Sequence, residues 1–315
     1  MSEIRNVAII GAGTMGHSLA QVFAQGGYNV WLNDVKDEIV ARAKKLIASN
    51  LDTLIELGNV EKSQKEPILR RIHTTVKLEE AGQNADFVIE AIIEDQAAKK
   101  EIFSRLDKTC PSGAILASNT SYMDIFKFVE TKRPDKVLIT HWFAPPHIVP
   151  LVEIVRGPRT SQEVVDRVKA LMIQVGKKPI VITKFLPGFI ANRLQSALGN
   201  EVFNLLDQGY ASPEDIDTAT KASFALRMPI LGLVKRMDFA GLDLTQKILS
   251  NQTYKVPPQN TKSKTVERLV SQGKLGVKTG SGYYEYGGRS TEEIMKERDM
   301  KLIKLREFLK EMGEL

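Results

Sequence analysis

Gly11, Gly13 and Gly16 in "VAIIGAGTMGHSLAQVFAQGGYNVWLND", residues 7–34, have the spacing for phosphate chemistry. They stand between a β-rich apolar run and an alanine-rich stretch, and Asp34 closes a second apolar run. Glycines at these intervals, after a strand and before a helix, read as a dinucleotide-binding turn. Gly11 permits the sharp turn. Gly13 lets a pyrophosphate approach the backbone, and Gly16 lets the helix lie against the strand. Thr14 and Met15 complete the turn, where the helix N-terminus offers free N–H groups and a partial positive charge to phosphates. A carboxylate at Asp34 accepts both ribose hydroxyls and repels a 2′-phosphate, which favours NAD over NADP. FAD uses the same turn.

Further polar residues fall where apolar runs end: Glu90 and Glu94, then Ser118, Asn119 and Ser121, then His141, then Glu153. A histidine titrates near working pH and suits proton transfer. The extended segment "VPLVEIV" neighbours that of His141, and its alternate residues face one way.

These groups need a scaffold, and the chain supplies one. Residues 4–10 and "YNVWLND" read as strands, with the helix "HSLAQVFAQGG" between them. A long helix over 35–57 and a second piece near 61–71 follow, then strands at "IHTTV", "ADFVIEAI", "GAILASNTS", "KVLITHWF", "VPLVEIV" and "KPIVIT". The helices "DQAAKKEIFSRLDKT" and "SQEVVDRVKALMIQVG" are interleaved with them. Strands alternating with helices imply a mostly parallel, doubly wound sheet, with ligands beyond the carboxyl ends of its strands. After Pro187-Gly188 long helical segments take over, and Ser212-Pro213 starts one of them. The fold class is therefore α/β, a Rossmann-type sheet over residues 1–186 followed by an all-helical domain over 187–315.

The 315 residues suffice for two domains. A net charge of +6, from 44 basic and 38 acidic residues dispersed along the chain, gives no concentrated patch for nucleic acid. No apolar run approaches the roughly 20 residues of a membrane span, and the N-terminus lacks a signal-peptide layout. The single cysteine, Cys110, leaves no internal disulfide or cysteine-built metal site, and no metal is expected. Together these point to a cytoplasmic protein with a small-molecule substrate and no nucleic-acid or membrane partner.

In order along the chain, "GAGTMG", "EAIIED" with Lys99, "ASNTS", "HWFAPPHIVPLVEIV", "PGFIANRL" and "KLGVKTGSGYYEY" resemble the L-3-hydroxyacyl-CoA dehydrogenase family. The resemblance implies reversible hydride transfer between a 3-hydroxyacyl substrate and NAD, a place in fatty acid metabolism, and a homodimer formed through the helical domain. It implies that His141 is the general base and acid, that Glu153 is its partner, and that Ser121 and Asn192 surround the reacting oxygen. Asn119, Glu94 and Lys99 would lie along the cofactor, although a helix lysine such as Lys99 also reads as simply solvated. His17 packs or faces the cofactor, and His147 is a loop or substrate-side residue.

Two departures bear on the substrate. The family carries Asn after the two aromatics that follow the histidine, and here Ala144 stands there. Lys235 and Arg236 fall in "ALRMPILGLVKRMDFAGLD", where an apolar acyl wall is expected. A short-chain CoA thioester such as 3-hydroxybutyryl-CoA is the first reading. A small free 3-hydroxy acid, gulonate- or carnitine-like, is the alternative, and a non-catalytic NAD-binding protein is a third. Lys62, Lys65, Arg70 and Arg71 would suit an anionic CoA tail or a solvated face.

Overall fold

A computed structural model describes residues 3–251 and 255–315. The chain divides into two compact units, Met1–Ile190 and Ala191–Leu315, just beyond the Pro187-Gly188 break.

In the first unit the elements are β1 (Asn6–Ile10), α1 (Gly16–Gln25), β2 (Asn29–Asn33), α2 (Asp37–Glu56), α3 (Lys65–Arg70), β3 (Ile72–Thr75), α4 (Leu78–Gly82), β4 (Phe87–Glu90), α5 (Gln96–Thr109), β5 (Ile115–Ser118), β6 (Val137–Trp142), β7 (Leu151–Arg156), α6 (Gln162–Gln174) and β8 (Lys178–Ile182). The eight strands form one sheet in the order β3-β2-β1-β4-β5-β6-β7-β8. β1 lies inside the sheet, between β2 and β4, and is apolar on both faces: Val7, Ala8, Ile9 and Ile10 are all buried. On one face Ala8, Ile10, Val88, Leu116, Ile139 and Val155 pack with Phe103 and Leu106 of α5.

Every pairing is parallel except β6 with β7. The sequence pattern shows the two segments as neighbours without giving their direction. The short link, residues 143–150, is the physical reason for the reversal, since a parallel partner needs a crossover of a dozen residues or more. The register sets His141 directly opposite Glu153. A second difference is α4, a single turn where the sequence reads as loop before β4. Its Leu78 and Ala81 are buried on the sheet, so packing forms it rather than a long periodic pattern.

α5 and α6 each start at a side-chain cap. Asp95 accepts the Ala98 N–H at 2.8 Å to start α5, and Ser161 caps α6 through the Val164 N–H.

Among the described residues the second unit is mainly helical, with α7 (Ala191–Asp207), α8 (Pro213–Ala222), α9 (Phe224–Leu231), α10 (Val234–Ala240), α11 (Leu242–Ser250), α12 (Lys264–Ser271) and α13 (Thr291–Glu311), and two isolated β-bridges join Gly276 to Ser281 and Ser281 to Glu285. Ser212 caps α8 with Pro213 at the first helical position, as its sequence implies. Ser290 and Glu293 form a capping box at α13. Asp207, at the end of α7, accepts the Ser263 hydroxyl and the Thr265 N–H, both at 2.9 Å, and so anchors the start of α12. Among the described residues no helix is long and apolar enough to cross a membrane.

Candidate active site

The glycine turn joins β1 to α1, and each glycine meets a distinct steric demand. Gly11 has φ +104°, and a Cβ there would stand 2.5 Å from the Ala91 carbonyl oxygen. At Gly16 a Cβ would overlap the Gly11 carbonyl oxygen, so only glycine lets α1 start this close to the strand. Gly13 is the opposite case: nothing lies within 4 Å of the place a Cβ would take. Thr14 is exposed beside it and Met15 is half-buried. The turn is a cradle, open where a diphosphate would approach and crowded where the helix must dock.

Asp34 follows β2. One of its oxygens accepts the Ala12 N–H and the other the Val35 N–H, each at 2.7 Å. The carboxylate is thus fixed in orientation, and each oxygen keeps a lone pair for a ribose hydroxyl. Two apolar residues that the sequence analysis passed over flank this edge. Val35 and Ile93 are 81% and 72% exposed, just past the ends of β2 and β4 on either side of β1. Large aliphatic side chains left in solvent at the carboxyl ends of a parallel sheet suit the flat faces of a base. An exposed apolar residue right after the strand-end acid is the signal that could have found Val35.

The β4 and β5 ends are tied by a buried ionic network. Glu90 is fully buried. One of its oxygens accepts the Lys99 ammonium at 2.6 Å and the Ile92 N–H at 2.9 Å, and the other accepts the Ser118 hydroxyl at 2.6 Å. Lys99 also pairs with Glu94 at 3.3 Å. Glu94 in turn accepts the Thr120 hydroxyl at 3.0 Å and the Ser121 N–H at 2.6 Å. Lys99 is only 1% exposed, so the solvated-helix reading fails. Its ammonium is directed at two carboxylates and holds the turn that carries Asn119 and Ser121. Asn119 accepts the Trp142 N–H on its side-chain oxygen at 2.9 Å, which leaves its amide group as a donor. Ser121 is half-buried.

His141, near the end of β6, is buried. Its Nδ1 stands 2.8 Å from Glu153 Oε2, and the other Glu153 oxygen accepts the Ile190 N–H at 3.0 Å. An ionised carboxylate only accepts, so Nδ1 carries the proton and Nε2 keeps its lone pair. The ring is packed edge-on against Phe143, with centroids 4.5 Å apart, and against Phe189 at 5.1 Å. Phe189 is a non-glycine residue in the left-handed region, at φ 51°. Such a backbone costs of order 1–3 kcal/mol and persists only where its surroundings enforce it. Complete burial of the Phe189 ring does so here. The sharp turn brings the next residue, Ile190, onto Glu153. The sequence marks Pro187-Gly188 as a chain break and places Phe189 at the start of the following helix, with no sign of this packing role.

The link after β6 is itself fastened. The Ser18 hydroxyl accepts the His147 N–H at 2.9 Å and pairs with its Nδ1 at 2.7 Å, while Lys177 donates to the carbonyl oxygens of Pro146 and Val149. His147 therefore belongs to the loop, buried on α1, rather than to a substrate face. Asn192 is the second residue of α7 and belongs to the helical unit. Of the basic residues read as suiting a CoA tail, Lys65 is paired with Asp52 at 2.5 Å, and Arg71 reaches the Ala24 carbonyl oxygen at 3.5 Å.

Sequence comparison decides the family. The 3-hydroxyacyl-CoA dehydrogenase NAD binding domain matches residues 6–185, and the C-terminal domain of the same family matches residues 188–286. The chain belongs to the 3-hydroxyacyl-CoA dehydrogenase family. It is an NAD-dependent oxidoreductase, and the cradle of Gly11, Gly13, Gly16 and Asp34 fits that cofactor. Among its relatives, a probable 3-hydroxybutyryl-CoA dehydrogenase of Bacillus subtilis is 36% identical over 90% of this chain and 98% of its own length. A 5-formyl-3-hydroxy-2-methylpyridine 4-carboxylate 5-dehydrogenase of Mesorhizobium japonicum is 31% identical over 97% of this chain and 98% of its own. A crystal structure of a 5-dehydrogenase of that pyridine acid, described as an NAD+ dependent dismutase, superposes with a TM-score of 0.87 at 29% identity, covering 98% of this chain and 99% of that one.

Proposed function

We propose that this family member interconverts an alcohol and a carbonyl on a small carboxylate-bearing substrate, with His141 as general acid and base and Glu153 as its partner. The observation that carries the reaction type is the buried 2.8 Å pair of His141 and Glu153 at the edge where the dinucleotide turn opens. Oxidation of the alcohol removes one hydride and one proton. Bound NAD supplies the hydride acceptor. The proton passes from the substrate hydroxyl to His141 Nε2, and Glu153 stabilises the imidazolium that forms. In reduction the same nitrogen returns the proton to the carbonyl oxygen. Ser121 offers a hydroxyl to that oxygen, and Asn119 lies along the cofactor. Gly11, Gly13, Thr14, Met15 and Gly16 hold the diphosphate and Asp34 the ribose, with Glu94 and Lys99 fixing the adjoining turn.

Three features support a free acid over a CoA thioester. The pyridine-carboxylate enzyme superposes with a TM-score of 0.87 over 98% of this chain, against 0.65 over 97% for a 3-hydroxyacyl-CoA dehydrogenase of Archaeoglobus fulgidus. Ala144, three residues past His141, stands where the family carries an amide. Lys65 and Arg71 already have partners within the protein. The short-chain 3-hydroxyacyl-CoA reading stands second, supported by the Bacillus subtilis relative.

One panel separates the two. Acetoacetyl-CoA is assayed with NADH beside gulonate, carnitine, 3-hydroxybutyrate and a hydroxymethyl- or formyl-pyridine carboxylate with NAD(H). A free acid with the higher kcat/KM supports the first reading, and acetoacetyl-CoA ahead by tenfold or more replaces it with the second.

The helical unit is assigned a second copy of the chain as partner. Leu194 and Leu198 on α7, Leu226 on α9, Phe239 on α10 and Leu249 on α11 are all exposed, as faces that pair in a symmetric dimer would be. Sedimentation velocity at micromolar concentration tests this, and a monomer there rejects it. A cytoplasmic setting fits the one cysteine, a buried free thiol.

A further inference from the structure

The first turn of α1 carries a histidine that neither the glycine cradle nor the acid–base pair explains. His17 is half-buried, and its Nδ1 stands 2.9 Å from the Gly13 carbonyl oxygen. A carbonyl only accepts, so Nδ1 bears the proton and the ring folds back over the dinucleotide turn. The main-chain N–H of His17 reaches the same oxygen only at 3.4 Å. The short hydrogen bond to this carbonyl is therefore the one from the side chain.

That carbonyl belongs to the Gly13–Thr14 peptide. In a planar trans peptide the C=O and N–H point in opposite directions. Fixing the Gly13 oxygen toward α1 thus aims the Thr14 N–H away from the helix, on the side where Thr14 is exposed and the Gly13 Cβ position is open. Donors at that point receive the cofactor's phosphates. We propose that His17 is a positioning residue for the NAD diphosphate, acting through the Gly13 carbonyl to hold the Thr14 amide on its target. Burial pushes the imidazole below its ordinary pKa, the hydrogen bond to the Gly13 carbonyl opposes this, and Arg42 pushes the same way as burial. The ring is neutral at pH 7, so its contribution is geometric rather than a counter-charge to the phosphates.

Direct binding of NADH, followed by its fluorescence, tests the assignment beside adenosine, which has a ribose and base but no phosphate. His17→Ala should weaken NADH about 5–10-fold, the scale of one net hydrogen bond, and leave adenosine binding unchanged. His17→Asn can place an amide N–H where Nδ1 stands and should bind NADH within about twofold of the wild type. His17→Gln, with a longer side chain, should behave like His17→Ala and serves if the alanine variant is poorly folded. Wild-type NADH affinity in His17→Ala or His17→Gln overturns the proposal. So does an equal loss in His17→Asn, or a parallel loss of adenosine.

Discussion

His141 and Glu153 face each other as one cross-strand pair of β6 and β7, with Nδ1 2.8 Å from the carboxylate. If that pair moves the proton, His141→Gln should lower kcat by roughly 10²–10⁴-fold, the usual worth of an acid–base group. Glu153→Gln keeps the shape but presents an amide donor to either the imidazole or the Ile190 N–H. It should lower kcat by about 10²-fold or more with little change in NADH affinity. Steady-state kinetics with saturating cofactor checks both, and near-normal kcat in either variant removes that residue from the mechanism.

The proposed preference for NAD over NADP rests on Asp34. Asp34→Ala removes the proposed ribose acceptor and also frees the Ala12 and Val35 N–H groups that it binds. NAD affinity should fall by roughly tenfold, the scale of a hydrogen bond to a charged group, while NADP affinity should hold or rise. An unchanged NAD-to-NADP ratio contradicts the assignment.

Lys99 lies between Glu90 and Glu94 in the interior. Lys99→Met strands a fully buried carboxylate, a change that typically destabilises by about 3–5 kcal/mol. The double variant Lys99→Met with Glu90→Gln should recover a large part of that loss, because the stranded charge is gone. Denaturant unfolding of the three proteins measures it. A single variant as stable as wild type would show that the lysine is dispensable to the turn.

Asp207 gives a pH signature. The Thr265 backbone N–H first, with Ser263 and Lys264, holds its carboxyl down to about 2. Its unfolded value is ~3.9. A carboxyl depressed by folding adds stability that is present above ~4 and lost as pH falls toward about 2. Asp207→Asn should therefore flatten the dependence of thermal stability on pH between ~4 and 2. A profile that keeps the wild-type slope assigns that slope elsewhere.

Much of this was legible in the residues. The apolar runs at 7–10, 87–89 and 137–139 are buried strands, and the glycine spacing marks a turn in which clashes explain Gly11 and Gly16 while Gly13 is left open. Local signals such as Ser212-Pro213 also gave a true helix start. What could not be read depends on partners distant in the chain. Lys99 looks like any helix lysine until Glu90 and Glu94 are brought to it by the β4 end and the loop beyond. The left-handed turn at Phe189 needs the ring's burial to hold it, and no short-range pattern encodes that. The reversal between β6 and β7 is set by a link too short for a crossover, while the apolar content of both strands is the same for either direction.

That reversal has a consequence for how the His141–Glu153 pair arises. His141 and Glu153 are 12 residues apart in a sheet whose other strand pairings are almost all joined by helical crossovers. Loop-closure entropy grows with the length of chain enclosed, so this is among the least demanding contacts of the sheet to make. The register of the pair is set within this one hairpin, by contacts local in the chain, rather than by a long crossover.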